Sequence, residues 1–146
     1  MRGRNLEVED LDFFKDLEEL IDEIWEEVMT WPYFARDTVG KQLVEAADSS
    51  GSNLVEGDGR YSHKEAIRFF YIARGSAREA RFWVKRAKIR GLMAKEKADS
   101  FTKRFNDIIP KINSMISTRR KWLGEIREES VSYSASYNEA IDEYPE

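Results

Sequence analysis

The feature that most constrains this chain is a short break between two long helical patterns, at residues 57–62. A Gly-Asp-Gly cluster at 57–59 is typical of a helix end, because glycine tolerates the left-handed backbone conformation common there. Ser62 and Glu65 then have the spacing of a capping box, in which the Ser62 hydroxyl accepts from the Glu65 amide and the Glu65 carboxylate reaches back. Such a cap contributes about 1 kcal/mol. One helix is therefore predicted to end at this cluster and another to begin near His63.

After the break, mostly small residues recur at spacings of three and four, with Phe69 and Trp83 as the bulky exceptions. They are Ala66, Phe69, Ala73, Ser76, Ala80, Trp83 and Ala87. This heptad repeat is typical of a helix that packs closely against neighbouring helices. Gly75 interrupts the helix at a cost of about 1 kcal/mol relative to alanine, so we expect close packing or a backbone contact there to compensate.

The remaining sequence contains three further helical patterns. The predicted helices span about 9–29, from residue 37 or 38 to 56, 63–90 and about 94–122, the last kinked at Pro110. Ser50 and Asn53 fall on the core face of the second helix, where we expect a polar network with Ser76 or Glu79. The sequence thus predicts an all-α, antiparallel up-down four-helix bundle over residues 1–123, followed by a flexible acidic tail over 124–146.

Charge is strongly segregated along the chain, although the net charge is only −4. Residues 1–30 carry three basic and eleven acidic side chains (net −8), and residues 31–59 carry two and five (net −3). Residues 60–90 carry ten and two (net +8), and residues 91–123 carry eight and three (net +5). The tail carries one and seven (net −6). A local basic surface can act on a polyanion over a screening length of about 10 Å, despite the acidic total.

The basic residues of the third helix are predicted to share a face opposite the core. With Arg60 at the turn, the candidate nucleic-acid-binding residues are Arg60, Lys64, Arg68, Arg74, Arg78, Arg81, Lys85 and Lys88. Two interpretations remain open at this point. The face contacts phosphates, which arginine can bind in a bidentate manner. Alternatively, it neutralises the acidic first helix or the acidic tail, in the same subunit or in a neighbour.

Catalytic and metal chemistry is not indicated by the sequence. His63 is the sole histidine and there is no cysteine, so paired Glu-x-x-His motifs and thiolate sites cannot be built. We predict no enzyme activity, no cofactor and no metal, with His63 as an exposed residue of a first helical turn. The amino-terminal residues lack the apolar core of a signal peptide, and the longest nearly apolar run, 66–73, is too short to span a bilayer. A cytoplasmic location is the expectation.

The region around the break resembles a known family. Its structural signature comprises Asn53, Glu56, Gly57, Gly59, Ser62, Glu65, Phe69, Gly75, Ser76 and Glu79. This pattern is similar to that of the four-helix-bundle proteins encoded by intervening sequences of bacterial 23S rRNA genes. The accessory variability protein of diversity-generating retroelements, a ring that binds a reverse transcriptase and nucleic acid, resembles the same family.

The resemblance implies an up-down four-helix bundle, usually a homopentamer, with no known catalytic chemistry. The partners it implies are the chain itself and an RNA or a nucleic-acid-processing protein. Aromatic residues outside the predicted heptad positions fit either a wide core or a subunit interface; they are Trp25, Phe70, Tyr71 and Phe82. The function predicted is a ring-forming, non-enzymatic scaffold that binds RNA or an RNA-processing partner through helix 3. The alternative is a structural module whose charges serve only self-assembly, through helices 1 and 3 of adjacent subunits.

Overall fold

A computed structural model describes residues 6–126, in which every regular element is helical. A 3-10 turn at Val8–Asp10 precedes α1 (Asp12–Met29). A helical turn (Tyr33–Ala35) and a π-helical segment (Arg36–Gly40) lead without a break into α2 (Lys41–Asp58). The longest elements are α3 (His63–Ile89) and α4 (Lys95–Ile126). The all-α prediction is confirmed, and the predicted tail lies outside the described residues from position 127 onward.

Neighbouring helices run antiparallel, because their contacts pair ascending with descending residue numbers. A Cβ at Gly40 would meet Val28, and one at Gly51 would meet Ile21, which sets α2 against α1. Ser76 of α3 hydrogen-bonds to Ser49 of α2. Side chains from α4 likewise pair with α3 and with α1, as described below.

The core is built from one face of each helix, and its α3 face is rotated relative to the predicted one. The predicted alanines are all buried, but the bulky residues between them are Phe70 and Val84, which are fully buried. Phe69 and Trp83, predicted in those layers, are only half-buried, so that part of the prediction is wrong. The four alanines are compatible with either pair of bulky residues, because positions 70 and 84, like 69 and 83, lie three or four residues from the neighbouring alanines. Only packing against α2 and α4 selects Phe70 and Val84.

Two helix boundaries differ from the predicted ones. The second helix begins at Tyr33 rather than near 37, because Pro32 at its N-cap has extended backbone angles and ends the preceding turn. Thr38 does not cap a helix; its hydroxyl donates to the Phe34 carbonyl at 2.7 Å inside the helical segment. At the other end of the chain, α4 continues through Pro110 and extends to Ile126, past the predicted end near 122.

The turn between α2 and α3 lies where the sequence predicts it, but Gly57 and Gly59 have a different role. Gly59 has a right-handed backbone (φ −79°), and Gly91, which closes α3, is the glycine with positive φ (72°) among residues 6–126. A Cβ at Gly57 would lie 2.8 Å from Phe69 Cβ. Glycine at position 57 therefore permits close approach of α2 and α3 rather than a left-handed helix end.

Candidate nucleic-acid interface

Three of the eight predicted basic residues lie along the junction of α3 and α4. Arg74 Nη1 donates to Asn113 Oδ1 at 2.9 Å, and Arg81 Nη1 donates to Asn106 Oδ1 at 2.7 Å. Lys88 Nζ donates to Asp99 Oδ1 at 2.6 Å. Each step is seven residues up α3 and seven residues down α4, so the three contacts form a regular polar ladder. These cations stabilise the junction between two helices of one subunit.

Arg74 is the member of this ladder that departs most from the prediction. Only 8% of its surface is exposed, so its predicted place on a solvent-facing arc is wrong. Its guanidinium lies 4.7 Å from the centre of the Tyr71 ring, in addition to its hydrogen bond to Asn113. A guanidinium can be buried in this way because an aromatic face and a side-chain oxygen replace water. The sequence pattern missed this because Arg74 lies on the flank of the helix that α4 covers.

Arg60 and Arg68 gather around one ring at the start of α3. The guanidinium of Arg60 lies 4.7 Å from the centre of Phe69, and that of Arg68 lies 5.1 Å from it. Arg60 also forms an ion pair with Glu56, one helical turn away. Arg60 is therefore partly neutralised at its own turn, whereas Arg68 remains exposed beside the ring.

Four predicted residues remain at the surface, and we call them the open cation row. They are Lys64, Arg68, Arg78 and Lys85, all exposed. Within residues 6–126, none of the four forms an ion pair. The row extends along α3 for 21 residues, about 32 Å at 1.5 Å per residue. Glu65 and Glu79 are exposed on the same helix, so two negative charges lie among the cations of α3.

The signature residues on α2 and α3 meet in a small polar network. Ser49 is its centre: its hydroxyl is 2.9 Å from that of Ser76, and Asn53 Nδ2 donates to Ser49 Oγ and to the Ser49 carbonyl, each at 2.9 Å. Buried Ser50 is satisfied within its own helix, donating to the Ala47 carbonyl at 2.6 Å. The network was predicted, but with Ser50 where the structure places Ser49.

Other signature residues have local roles. Ser62 Oγ accepts from the Glu65 amide at 3.3 Å, which confirms one of the two hydrogen bonds of the predicted capping box. Glu79 accepts from Trp83 Nε1 at 3.1 Å. Gly75 is exposed, and among residues 6–126 a Cβ there would meet nothing within 4 Å, so the described part of the chain supplies no compensating contact.

A cluster that sequence reasoning missed joins four segments at the α2–α3 turn. Asp58 accepts from the Val8 amide at 2.9 Å and from Arg119 Nη2 at 3.5 Å. Arg119 Nη1 lies 3.1 Å from His63 Nδ1, and the His63 ring lies 5.5 Å from the Trp122 ring. Burial, and secondarily the Arg119 charge, lower the pKa of His63 below 6.5. The prediction that His63 is simply exposed is wrong, and no sequence spacing links residues so far apart.

Two glutamates on one flank of α1 form ion pairs with α4. Arg104 Nη2 lies 2.5 Å from Glu23 Oε2, and Lys97 Nζ lies 3.7 Å from Glu27 Oε1. The four aromatic residues outside the predicted heptad positions differ in exposure. Phe70 is buried and Tyr71 is half-buried, whereas Trp25 and Phe82 are each more than half exposed. None of the helices described within 6–126 is both long and apolar enough to cross a lipid bilayer.

The helices and the open cation row define the class of protein: an all-α bundle with a row of exposed cations on α3. The family of 23S rRNA-intervening sequence proteins matches residues 9–114, and the chain belongs to that family. A solved structure of a protein of unknown function from the S23 ribosomal protein family of Bacteroides thetaiotaomicron is similar, with a TM-score of 0.64 and 19% sequence identity. The match covers 71% of this chain and 97% of the other, and it supports the fold alone. Among curated proteins, no sequence matches this chain.

Proposed function

We propose that this protein is a non-enzymatic, ring-forming scaffold of the cytoplasm that binds RNA through the open cation row of α3. The observation that carries the proposal is that Lys64, Arg68, Arg78 and Lys85 stay exposed and without an ion pair within residues 6–126. The family name, which refers to intervening sequences of 23S rRNA, makes RNA the polyanion to test first.

The geometry of the row supports contact with a phosphate backbone rather than with a single anion. Four cations over about 32 Å face outward on one rigid helix, so their spacing is set before binding. Four phosphate contacts to a single strand would give a slope of about −3 for log K against log salt. Base recognition is not implied, because phosphate contacts carry no direct sequence information.

The test compares two variants that lose the same charge. In the first, the four cations of the row are changed to glutamine. In the control, four exposed cations elsewhere are changed instead: Lys15, Lys41, Arg90 and Lys95. Binding of a short single-stranded RNA, measured by fluorescence anisotropy between about 50 and 200 mM salt, should be lost in the first variant and kept in the control.

Equal binding by both variants, or a flat salt response of the native protein, would contradict RNA binding by the row. The ladder residues are unsuitable for this test. Because Arg74 and Arg81 bind α4, their neutralisation would disturb the bundle as well as any RNA contact.

A second candidate function, self-assembly without RNA, is favoured by a separate feature of α3. A second heptad repeat lies on its outward face: Arg68, Ile72, Gly75, Glu79, Phe82, Arg86 and Ile89. Ile72, Phe82 and Ile89 are 44%, 51% and 68% exposed, which is unusual for apolar residues in regular repeat. We propose that this face meets the acidic α1 of an adjacent subunit and that the contact closes a homopentameric ring.

Assembly is tested by measuring the mass of the particle rather than its binding of RNA. Changing Ile72 and Phe82 to serine should reduce the light-scattering mass to that of a monomer, while the circular dichroism of the helices is retained. The matched control changes Phe34 and Val55, exposed apolar residues outside α1 and α3, and should keep the native mass. A monomeric native protein at micromolar concentration would overturn the ring.

A further inference from the structure

The open cation row is matched in charge by a part of the same chain, the C-terminal segment 127–146. We propose that this segment docks along the row and competes there with polyanions. The docking stands on the described surface and the sequence, whereas the competition with RNA rests on the proposed function.

The register of the polar ladder places the start of the segment next to the row. Asn113 is level with Arg74, so thirteen residues further along α4, Ile126 is level with position 61, thirteen residues earlier on the α3 side. The contact of the Trp122 and His63 rings at 5.5 Å supports the same alignment. The C-terminal segment therefore begins about one helical turn before Lys64, at the near end of the row.

The segment is also long enough to cover the whole row. Its 20 residues, 127 to 146, extend to about 66 Å at 3.3 Å per residue. The distance from Lys64 to Lys85 is about 32 Å. The segment can therefore reverse direction after Ile126 and still reach the far end with residues to spare.

The charge of the segment is opposite to that of the row. Residues 127–146 hold one basic and six acidic side chains, net −5, against four cations in the row. The acidic residues fall in two groups, at 128–129 and at 139–146, and the row likewise has a near pair (Lys64, Arg68) and a far pair (Arg78, Lys85). One extended segment can therefore place one acidic group against each pair of cations.

The acidic α1 of the same chain is a weaker occupant for the row. Its Glu23 and Glu27 already contact Arg104 and Lys97 of α4. Those two ion pairs hold one flank of α1 against α4. The C-terminal segment, which is covalently tethered at the correct end, has the higher effective concentration at α3.

Zero-length carbodiimide coupling tests the docking without RNA, since it joins a lysine amine to a carboxylate in contact. Mass spectrometry of the full chain at low salt should find Lys64 and Lys85 linked to carboxylates of 128–146. Exposed Lys41 and Lys95, which lie outside the row on α2 and α4, are internal controls and should remain unlinked to the segment. Raised salt should abolish the Lys64 and Lys85 links. Replacement of Ser130, Ser132, Ser134 and Ser136 by alanine should leave them unchanged.

Competition is tested by RNA affinity. A chain ending at Ile126 keeps every described element, and it should bind single-stranded RNA about tenfold more tightly at low salt than the full chain. A synthetic peptide of 127–146 added to the shortened chain should restore the weaker binding.

The outcomes separate the two proposals. Equal linking of the segment to control and row lysines, or no linking to the row, overturns docking whatever the RNA result. Links from the row to α1 of a second copy also overturn it. Row links with no RNA binding by either chain leave docking standing and contradict the proposed function. Row links with equal RNA affinity of the two chains overturn competition.

Discussion

Gly57 of α2 lies directly against Phe70 of α3, so that a Cβ at position 57 would come within 2.8 Å of Phe70 Cε1 and equally close to Phe69 Cβ. Phe69 Cβ is fixed to the backbone of α3 and cannot rotate away. Gly57→Ala should therefore separate α2 from α3 and lower the free energy of unfolding by about 1–3 kcal/mol, measured by urea denaturation. An unchanged unfolding free energy would show that the two helices are not held at this distance.

Gly75→Ala is the matched change on α3 with the opposite expected sign. A Cβ there meets no atom of residues 6–126 within 4 Å, so the substitution adds helix propensity without a clash. The unfolding free energy should rise by about 0.5–1 kcal/mol. A loss of stability would contradict the open space at position 75, whereas a lower assembly mass at raised stability would place Gly75 within the proposed contact between subunits.

Arg74 and Arg78 lie four residues apart on α3 and should respond differently to truncation. Arg74→Ala removes a buried guanidinium from Asn113 and Tyr71, and should cost about 1–3 kcal/mol of unfolding free energy. Arg78→Ala, at an exposed position, should change it by less than about 0.5 kcal/mol.

The same pair should separate stability from RNA binding. Arg78→Ala should weaken RNA binding and reduce its salt slope by about 0.7, because one phosphate contact to a single strand is lost. Equal small stability effects of the two substitutions would contradict the inward placement of Arg74.

His63 should make stability depend on pH near neutrality. Its pKa in the folded protein lies below 6.5, first because of burial and second because of Arg119. As pH falls below 6.5, the unfolded chain therefore binds a proton more readily than the folded chain does. The contribution of neutral His63 is fully present above pH 6.5 and is lost as pH falls from there toward the folded pKa.

Urea denaturation at about pH 7.5 and about pH 5.5 measures this effect. His63→Asn, which keeps an acceptor for Arg119 but does not titrate, should show a smaller loss of stability on acidification than the native protein. Because His63 is the sole histidine, its NMR titration can be read without assignment, and its midpoint should lie below 6.5. A midpoint above 6.5 would reverse the sign and refute the prediction.

Local sequence signals predicted the helices well because their causes are local. The Ser62 cap and the break at the 57–59 cluster each depend on a few neighbouring residues. The Ser49–Ser76 network was nearly predicted as well, since antiparallel helices set the height of each residue. The prediction named Ser50 instead of Ser49, an error of one position, because neighbouring faces of a helix differ by only a small rotation.

The sequence by itself determined that the chain forms four amphipathic helices with a break at 57–62, because periodicity and capping act over a few residues. Tertiary structure alone decided which cations remain at the surface. Arg74 and Arg78 look alike in sequence, but α4 covers one flank of α3 and supplies Asn113 to the first of them. Such a distinction depends on the rotation of one helix about its axis, which is set by the packing of all four and not by the local sequence of any one.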